Sequence, residues 1–208
     1  MGKLAAQLIG GLGNQLFILA HGYKLAREQG KELVIDSSNW YAGQGGHPEE
    51  YKDSLYKNFT FGKGESIKKG YYQGLKYFEP FGKEFINKLG IELKHISRTA
   101  VHVRRGDYIG SKHNVCDMGY YKRAMQGHEC TIFSDDPQWC ESQFNHSVFR
   151  GSVLESFIEM ASHSMVVCSN SSFSWWASYI GKSKTIVPNK WYRDRTDEDI
   201  YRPDMIRL

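Results

Sequence analysis

The chain has 208 residues, a length that allows one large domain or two small ones. Hydrophobic residues make up 40% of it and charged residues 24%, so we expect a globular fold rather than a disordered chain. The 27 Lys and Arg residues only slightly exceed the 23 Asp and Glu residues. This excess suits a small anionic ligand but is too small and too scattered to indicate a nucleic-acid-binding protein.

The apolar segments and the cysteines limit the cellular setting. No stretch approaches the roughly 18 apolar residues of a membrane-spanning helix, and the first apolar run, 4–9, is too short for a signal-peptide core. We therefore expect a cytoplasmic protein without stable membrane insertion, any contact with a membrane being peripheral. The four cysteines include no Cys-x-x-Cys pair, so we expect buried thiols in a reducing compartment. Asn-x-Ser/Thr sequences at Asn58, Asn145 and Asn170 mean little without a secretion signal.

The first 36 residues predict one β-α-β unit. Residues 4–9 suit a short strand, and a glycine-rich turn follows it. Apolar residues at helical spacing then indicate a helix that begins at Asn14 and ends at Gly30. A second strand is predicted over 33–36, and this connection implies a parallel sheet.

The second half predicts a regular alternation of strands and helices. Before it, 37–70 shows no clear period and is interpreted as loops with short elements, while 82–89 suits a short helix. Strands are then predicted over 99–104, 130–133, 164–168 and 184–188, the last as the final strand, and helices over 118–126, 152–162 and 172–180, with another opened by Pro137. This alternation again favours a parallel α/β sheet.

Four polar segments follow predicted strands, and ligands of open α/β sheets bind beyond the carboxyl ends of the strands. The segments are Gly10-Gly11-Leu12-Gly13-Asn14, Arg104-Arg105-Gly106-Asp107, Ser134-Asp135-Asp136 and Ser169-Asn170-Ser171-Ser172. The glycine segment is similar to a dinucleotide fingerprint, but Leu16 stands at the third glycine position and the end of a P-loop is missing. Its backbone N–H groups could meet a ligand, or it could be a plain tight turn.

The adjacent arginines suit an anion. Arg104 and Arg105 repel each other unless an anion or a carboxylate separates them, and each guanidinium can pair with two phosphate oxygens. One arginine could reach a diphosphate while Asp107 holds the other, and the alternative is a surface ion cluster. Alternation along the strand places His102 and Arg104 on one face and Val101 and Val103 on the other.

The other two segments also leave alternatives open. Asp135 and Asp136 could cap a helix, accept guanine N–H groups or bind a divalent metal, and we favour one capping and one ligand-binding carboxylate. The serines at 169–172 could bind an anion at a helix start.

Trp175 and Trp176 cannot share one helix face, so one is expected in the core and the other at an interface or a ring, unless both are structural. No histidine spacing indicates a metal site, and no Gly-x-Ser-x-Gly turn indicates a hydrolase.

Taken together, the segments resemble the α-1,2-fucosyltransferases, glycosyltransferase family 11. The similar segments are Gly-Gly-Leu-Gly-Asn-Gln-Leu-Phe at 10–17, His-Val-Arg-Arg-Gly-Asp-Tyr at 102–108, Phe-Ser-Asp-Asp-Pro-Gln-Trp-Cys at 133–140 and Ser-Asn-Ser-Ser-Phe-Ser-Trp-Trp at 169–176. Val-Pro-Asn-Lys-Trp at 187–191 supports them. The chain looks like an unusually short member, because 90–100 joins the aromatic stretch to the His-x-Arg-Arg segment almost directly.

The resemblance implies a GT-B-like α/β fold of two Rossmann-like halves with parallel sheets and a donor cleft between them. We divide them at 1–97, with the glycine loop and the acceptor side, and 98–208, with the donor site. The implied activity is that of a hexosyltransferase, a galactoside 2-α-L-fucosyltransferase of glycan biosynthesis. It would transfer L-fucose with inversion from GDP-β-L-fucose to the 2-hydroxyl of a galactose-terminated glycan. No metal cofactor is expected, and GDP-fucose is a co-substrate.

The resemblance also implies roles for individual residues. The candidate catalytic residues are Arg104, Arg105, Asn14, His102 and Asp107. The candidate donor-binding residues are Gly11, Gly13, Gln15, Ser134, Asp135, Asp136, Ser171, Ser172 and Phe173. One arginine would neutralise the β-phosphate and stabilise charge developing on the leaving GDP. Asp135 or Asp136 would bind guanine, Ser171 and Ser172 would face the phosphates, and Asn14 would lie in the glycine loop that faces the fucose.

The catalytic base is left open by the resemblance. The acceptor hydroxyl needs a base or a loose, dissociative path with late proton loss. His102, Asp107 and His113 are candidate bases, unless Asp107 only braces Arg105. Two other functions fit the same residues: a non-catalytic module that binds a GDP-sugar or a glycan, and a fucosyltransferase of another linkage.

Overall fold

A computed structural model describes residues 2–38, 46–196 and 198–208 of the chain. It divides into two compact units, Met1–Ile91 and Glu92–Leu208, here called unit 1 and unit 2. The part of the predicted loop segment that covers 39–45 lies outside the described residues. No helix in the described part of the chain combines the length and the apolar character needed to cross a bilayer.

Unit 1 contains a parallel sheet of four strands in the order β3-β2-β1-β4. The strands are β1 (Lys3–Gln7), β2 (Glu32–Asp36), β3 (Thr60–Phe61) and β4 (Glu65–Ser66), and the α-helices are α1 (Leu12–Gln29) and α2 (Gly82–Leu89). Helix α1 ends as predicted at Gly30, whose φ of 62° is the left-handed conformation that favours glycine after a helix.

Unit 2 contains a parallel sheet of six strands in the order β10-β9-β8-β5-β6-β7. Its strands are β5 (Ile96–Val103), β6 (Cys130–Ser134), β7 (Ser147–Val148), β8 (His163–Val167), β9 (Lys184–Val187) and β10 (Met205–Arg207). Its α-helices are α3 (Met118–Met125), α4 (Pro137–Gln143), α5 (Val153–Ala161) and α6 (Ser172–Gly181). The predicted alternation of strands and helices is confirmed.

The helices of unit 2 begin at residues that satisfy the free N–H groups of the first turn. Asp117, Asp136, Ser152 and Ser171 each accept a hydrogen bond from a backbone N–H of the helix that follows. Pro137 occupies the first turn of α4, where its missing N–H costs nothing. The loops after β5, β6 and β8 each end at one of these capping residues.

Both units have the strand order of a doubly wound sheet. In unit 1, β1 lies between β2 and β4, and in unit 2, β5 lies between β6 and β8. The chain thus builds outward in both directions from one central strand, which leaves a crevice at that strand's carboxyl end. The glycine segment follows β1, and Arg104 and Arg105 follow β5 directly. The predicted α/β class with parallel sheets is confirmed.

The structure decides two open points about unit 2 and corrects one expectation. The residues of β5 from Thr99 to Val103 are all buried, His102 among them, because a central parallel strand is covered on both sides. Trp175 and Trp176 are both fully buried, with ring centroids 5.4 Å apart, which confirms the alternative that both are structural. The prediction of 184–188 as the final strand is wrong, because β10 follows it and pairs with β9.

Candidate functional site

Arg104 is held by two carboxylates in the loop that follows β5. Its Nη2 and Nε atoms donate to Oδ1 of Asp107 at 2.7 and 3.1 Å. Its Nη1 atom lies 3.3 Å from Oδ2 of Asp135, which follows β6. The suggestion that Asp107 braces Arg105 is therefore wrong, because the turn directs Asp107 toward Arg104.

Arg105 is held by the start of α4. Its Nε donates to Oδ2 of Asp136 at 3.0 Å, and its guanidinium carbon lies 3.6 Å from the centroid of the Trp139 ring. A guanidinium stacked on an indole gains a favourable cation–π interaction. The backbone N–H of Arg105 donates to Oδ1 of Asp135 at 2.8 Å. Both arginines are thus fixed in place, and the two carboxylates after β6 serve as their anchors.

Asp136 also caps α4, as one of the two aspartates was expected to do. Its Oδ1 accepts the N–H of Trp139 at 3.2 Å, and its own N–H donates to Oγ of Ser134 at 3.0 Å. All four carboxylate oxygens of Asp135 and Asp136 therefore already accept one hydrogen bond or ion pair. Each oxygen keeps a second lone pair for a ligand donor such as a guanine N–H.

His102 is buried where β5 meets β8 and α6. Its Nδ1 lies 2.8 Å from Oγ of Ser169 and 3.0 Å from Oγ of Ser174. Burial, with the nearby charge of Arg104, lowers the pKa of His102 to about 3. The imidazole is therefore neutral at pH 7 and joins the central strand to the segment that follows β8.

The start of α6 carries the predicted serine and phenylalanine residues. Oγ of Ser171 accepts the N–H of Phe173 at 3.3 Å and so caps the helix, and Ser172 is its half-buried first residue. The Phe173 ring packs against His102 and Phe157, with centroids 5.4 and 5.3 Å away. Ser171 and Phe173 have defined structural contacts here, and their contact with a donor stays a prediction.

Asn170 joins two loops of unit 2. Its Nδ2 donates to the backbone carbonyl oxygens of His113 and Trp191, both at 2.9 Å. Its backbone carbonyl oxygen accepts a hydrogen bond from the Tyr108 hydroxyl at 3.2 Å. His113 and Tyr108 belong to the loop after β5, and Trp191 belongs to the loop after β9. With only 3% of its surface exposed, Asn170 fixes these loops against each other.

These two loops and α3 enclose a cavity of about 590 Å³ within unit 2. Small-molecule sites commonly have volumes of about 300–1,000 Å³. Its lining includes five cationic side chains, those of Arg104, Arg105, Arg123, Lys190 and Arg193. The Asp117 carboxylate also lines it, while capping α3. The arrangement can bind an anion of the size of a nucleotide.

Cys116 lines the same cavity but is not a nucleophile. Burial raises the pKa of its thiol to about 12, so the thiol stays protonated. All four cysteines of the chain are free. Among the described residues, no group of three or more His, Cys, Asp and Glu side chains is placed to hold a metal ion.

The glycine segment of unit 1 forms a tight turn into α1. Gly10 has a φ of +76°, which favours glycine, and Gly11 precedes the helix without any side chain to cap it. Gly13 is buried in the first turn. Asn14 lies in the same turn, where its Oδ1 accepts the Nε2 of Gln73 at 2.8 Å.

Gln15 holds this turn together. Its Nε2 donates to the carbonyl oxygens of Gly10 and Gly46 at 3.0 and 2.9 Å, and its Oε1 accepts the Tyr56 hydroxyl at 3.1 Å. The side chain is fully buried. The structure therefore gives Gln15 a structural role, and its predicted contact with a donor is not tested.

Several residues of the site in unit 2 were missed by the sequence analysis. Trp139, Ser174, Arg123 and Arg193 received no role. Trp139 and Ser174 lie inside the similar segments at 133–140 and 169–176, but their partners, Arg105 and His102, are set by tertiary contacts. Lys190 could have been found, since it lies in the supporting segment at 187–191 directly after β9.

A doubly wound α/β unit with a basic cavity beyond its strand ends is the organisation of a nucleotide-binding protein. The family model described as Glycosyl transferase family 11 matches residues 56–208. The chain belongs to this family and is a glycosyltransferase, as the motif resemblance predicted.

Named relatives agree with this assignment. An alpha-1,2-colitosyltransferase of Escherichia coli is 26% identical to the chain over 272 aligned positions, which cover 92% of the chain and 93% of the relative. A galactoside 2-alpha-L-fucosyltransferase of Caenorhabditis elegans is 26% identical over 172 positions, covering 66% of the chain and 46% of the relative.

A solved structure supports the fold. The bacterial glycosyltransferase TibC from enterotoxigenic E. coli matches with a TM-score of 0.58 at 12% identity, covering 99% of the chain and 62% of TibC. At this identity the likeness concerns the fold alone, and it agrees with the predicted GT-B-like class.

Proposed function

We propose that the protein transfers L-fucose from GDP-β-L-fucose to the 2-hydroxyl of a terminal galactoside, with inversion and without a metal ion. The observation that carries the proposal is the position of Arg104 and Arg105, in a basic cavity at the end of the central strand of unit 2. The family membership and the 1,2-linkage in the names of two relatives support the reaction type. We further propose that it acts in the cytoplasm on galactose-terminated glycans.

The arginines would act on the leaving group. When the bond between the anomeric carbon and the donor's β-phosphate oxygen breaks, the electron pair of that bond stays with GDP. Fixed guanidinium groups stabilise such developing charge without reorganising during the reaction. The contacts of Arg104 and Arg105 with Asp107, Asp135, Asp136 and Trp139 supply this fixation.

Proton removal from the acceptor would come late in this reaction. A buried imidazole with a pKa of about 3 is a weak base, so we infer that His102 positions the end of β5 rather than accepting the proton. The Asp107 carboxylate is engaged by Arg104. His113, the third candidate base, is not among the described residues that line the cavity. We therefore infer a loose, dissociative path in which stabilisation of GDP lowers most of the barrier.

A second donor has specific support. The relative whose alignment covers 92% of the chain is named a colitosyltransferase. Colitose is 3,6-dideoxy-L-galactose, which is fucose without the 3-hydroxyl, so one pocket could accept either sugar. The competing proposal is therefore the same 1,2-transfer with GDP-colitose as the donor.

One assay tests both proposals. The protein is incubated in EDTA with GDP-fucose or GDP-colitose and with lactose and other terminal galactosides, and both GDP release and product linkage are followed. A 1,2-linked fucoside formed with acceptor-dependent GDP release supports the first proposal. Faster turnover of GDP-colitose favours the second. GDP binding without turnover of either donor would instead support a non-catalytic binding module, and another linkage would refute the 1,2-transfer.

A further inference from the structure

Arg104 and Arg105 do not by themselves form a positively charged site. Their two guanidinium groups are matched by three carboxylates, those of Asp107, Asp135 and Asp136, at 2.7 to 3.3 Å. This group of five side chains carries one net negative charge. A group with that balance fixes its arginines well but does not attract a diphosphate from solution.

Three other cations line the same cavity. Arg123 lies on α3, and Lys190 and Arg193 lie in the loop after β9. The ion pairs found among the described residues include none of these three side chains. Only one carboxylate in the described lining, that of Asp117, offsets their charge.

The loop that carries two of these cations is held in place. Asn170 donates to the carbonyl oxygen of Trp191, between Lys190 and Arg193 in the chain, at 2.9 Å. The backbone N–H of Arg193 donates to the carbonyl oxygen of Lys112 at 3.2 Å. Both bonds tie the loop after β9 to elements that follow the central strands. Lys190 and Arg193 are thus presented by an anchored backbone.

We propose that Arg123, Lys190 and Arg193 form a second anion subsite, which binds the diphosphate of the donor nucleotide and of the GDP product. The proposal rests on the proposed function for the identity of the nucleotide. In this division of roles the three unpaired cations supply the net attraction, and the paired arginines act on the bond that breaks. Charged hydrogen bonds of this kind contribute enough to change affinity by about tenfold or more each.

The test compares ligands with and without a diphosphate. Affinities of the full chain for GDP, GMP and inorganic pyrophosphate are measured by isothermal titration calorimetry for the wild type and for Arg123→Gln, Lys190→Gln and Arg193→Gln. Lys184→Gln and Arg98→Gln are the matched controls, because these exposed residues lie near the opposite ends of β9 and β5. The proposal predicts about tenfold weaker GDP and pyrophosphate binding in each cavity variant, a smaller loss for GMP and no change in the controls.

The outcomes separate this inference from the proposed function. Wild-type affinity for GDP in all three cavity variants, with weaker binding in Arg105→Ala, would overturn the second subsite and leave the proposed function standing. Pyrophosphate binding that depends on the three residues, without GDP binding, would keep the anion subsite and overturn the nucleotide donor. If the wild type binds neither ligand, both proposals are wrong. Circular dichroism spectra confirm that each variant is folded.

Discussion

At the scale of single residues, Arg105 combines a stacked ring, a carboxylate partner and a position in the cavity wall. Its guanidinium is stacked on Trp139 and bonded to Asp136, and it lines the cavity. We expect Arg105→Ala to lower kcat/KM by about a hundredfold, since a fixed donor aimed at developing charge contributes about 2.7–4 kcal/mol in other enzymes. GDP release in steady-state assays measures this loss.

The choice of controls makes this prediction specific. Arg105→Lys should recover little activity, because lysine cannot reproduce the planar stack. Arg150→Ala removes a similar surface ion pair, to Glu141 at 2.7 Å, and should leave kcat/KM unchanged. If both Arg104→Ala and Arg105→Ala retained full activity, the assignment of the arginines to the leaving group would be wrong.

A second prediction at the residue scale concerns His102 and the stability of the protein in acid. Its pKa of about 3 in the folded chain lies below the ordinary value of 6.5 in the unfolded chain. Between these values the unfolded state binds the extra proton, so stability is lost as the pH falls from 6.5 toward 3. The slope is at most one proton, or about 1.4 kcal/mol per pH unit.

Urea unfolding at pH 7 and pH 5 tests this dependence. The free energy of unfolding should fall with pH in the wild type, and less steeply in His102→Gln. His21→Gln is a useful comparison. Burial also lowers the pKa of His21, but the side chain of His21 is only half-buried, whereas His102 is buried. Equal slopes in the wild type and in His102→Gln would contradict the buried, neutral state of His102.

At the scale of elements, Asn170 connects the loops after β5 and β9. In Asn170→Asp, a carboxylate oxygen would replace the donor that serves the carbonyl oxygens of His113 and Trp191. We expect a loss of about 3 kcal/mol in the free energy of unfolding, together with weaker GDP binding, because both cavity walls lose their anchor. Chemical denaturation and calorimetry measure the two effects.

Asn58→Asp is the matched control for that variant. The Nδ2 of Asn58 also donates to a carbonyl oxygen, that of Lys88 at 2.9 Å, but on the exposed surface of unit 1. Its substitution should cost about 0.5 kcal/mol or less and leave GDP affinity unchanged. Equal losses in the two variants would show that Asn170 is not an anchor of the cavity.

The sequence predicts those elements that have a chemical start or stop. Gly30 ends α1, Pro137 opens α4 and Ser152 caps α5, and each effect is local. Strands β3, β4 and β7 have two residues each, too few to show a period, so only pairing with a neighbour defines them. β10 was also missed. It has only three residues, and its partner β9 is not adjacent to it in the sequence.

The site was predictable where it follows strand ends and unpredictable where it depends on tertiary contacts. The positions of Arg104 and Arg105 follow from the end of β5. The partner of Asp107 depends on the conformation of the turn. The burial of His102 could not be predicted from alternation, because alternation does not show what covers the second face of the strand. The cluster of Arg123, Lys190 and Arg193 arises only when α3 and the loop after β9 line one cavity.

At the scale of the whole molecule, unit 2 contains a complete sheet and its own hydrophobic core. Every described residue that lines the cavity belongs to unit 2. We therefore expect a fragment of residues 92–208 to unfold cooperatively and to bind GDP with an affinity within about tenfold of that of the full chain. Thermal unfolding and calorimetry test this expectation.

One result for the fragment would contradict this expectation. If it folds but its GDP affinity falls by far more than tenfold, nucleotide binding needs residues of unit 1. The first residues to examine would then be Asn14 and the glycines at 10–13, whose predicted contact with the donor is otherwise untested. Asn14→Ala in the full chain, assayed for both GDP affinity and turnover, would separate binding from catalysis.

The stack of Arg105 on Trp139 has a consequence for spectroscopy. Trp175, Trp176 and Trp191 are at most 3% exposed, whereas Trp139 is half-buried at the cavity wall. Indole emission responds to the charge and the polarity around the ring. A ligand that draws Arg105 away from Trp139 would therefore change the intrinsic fluorescence of the protein, so that occupancy of the cavity can be followed optically without any label.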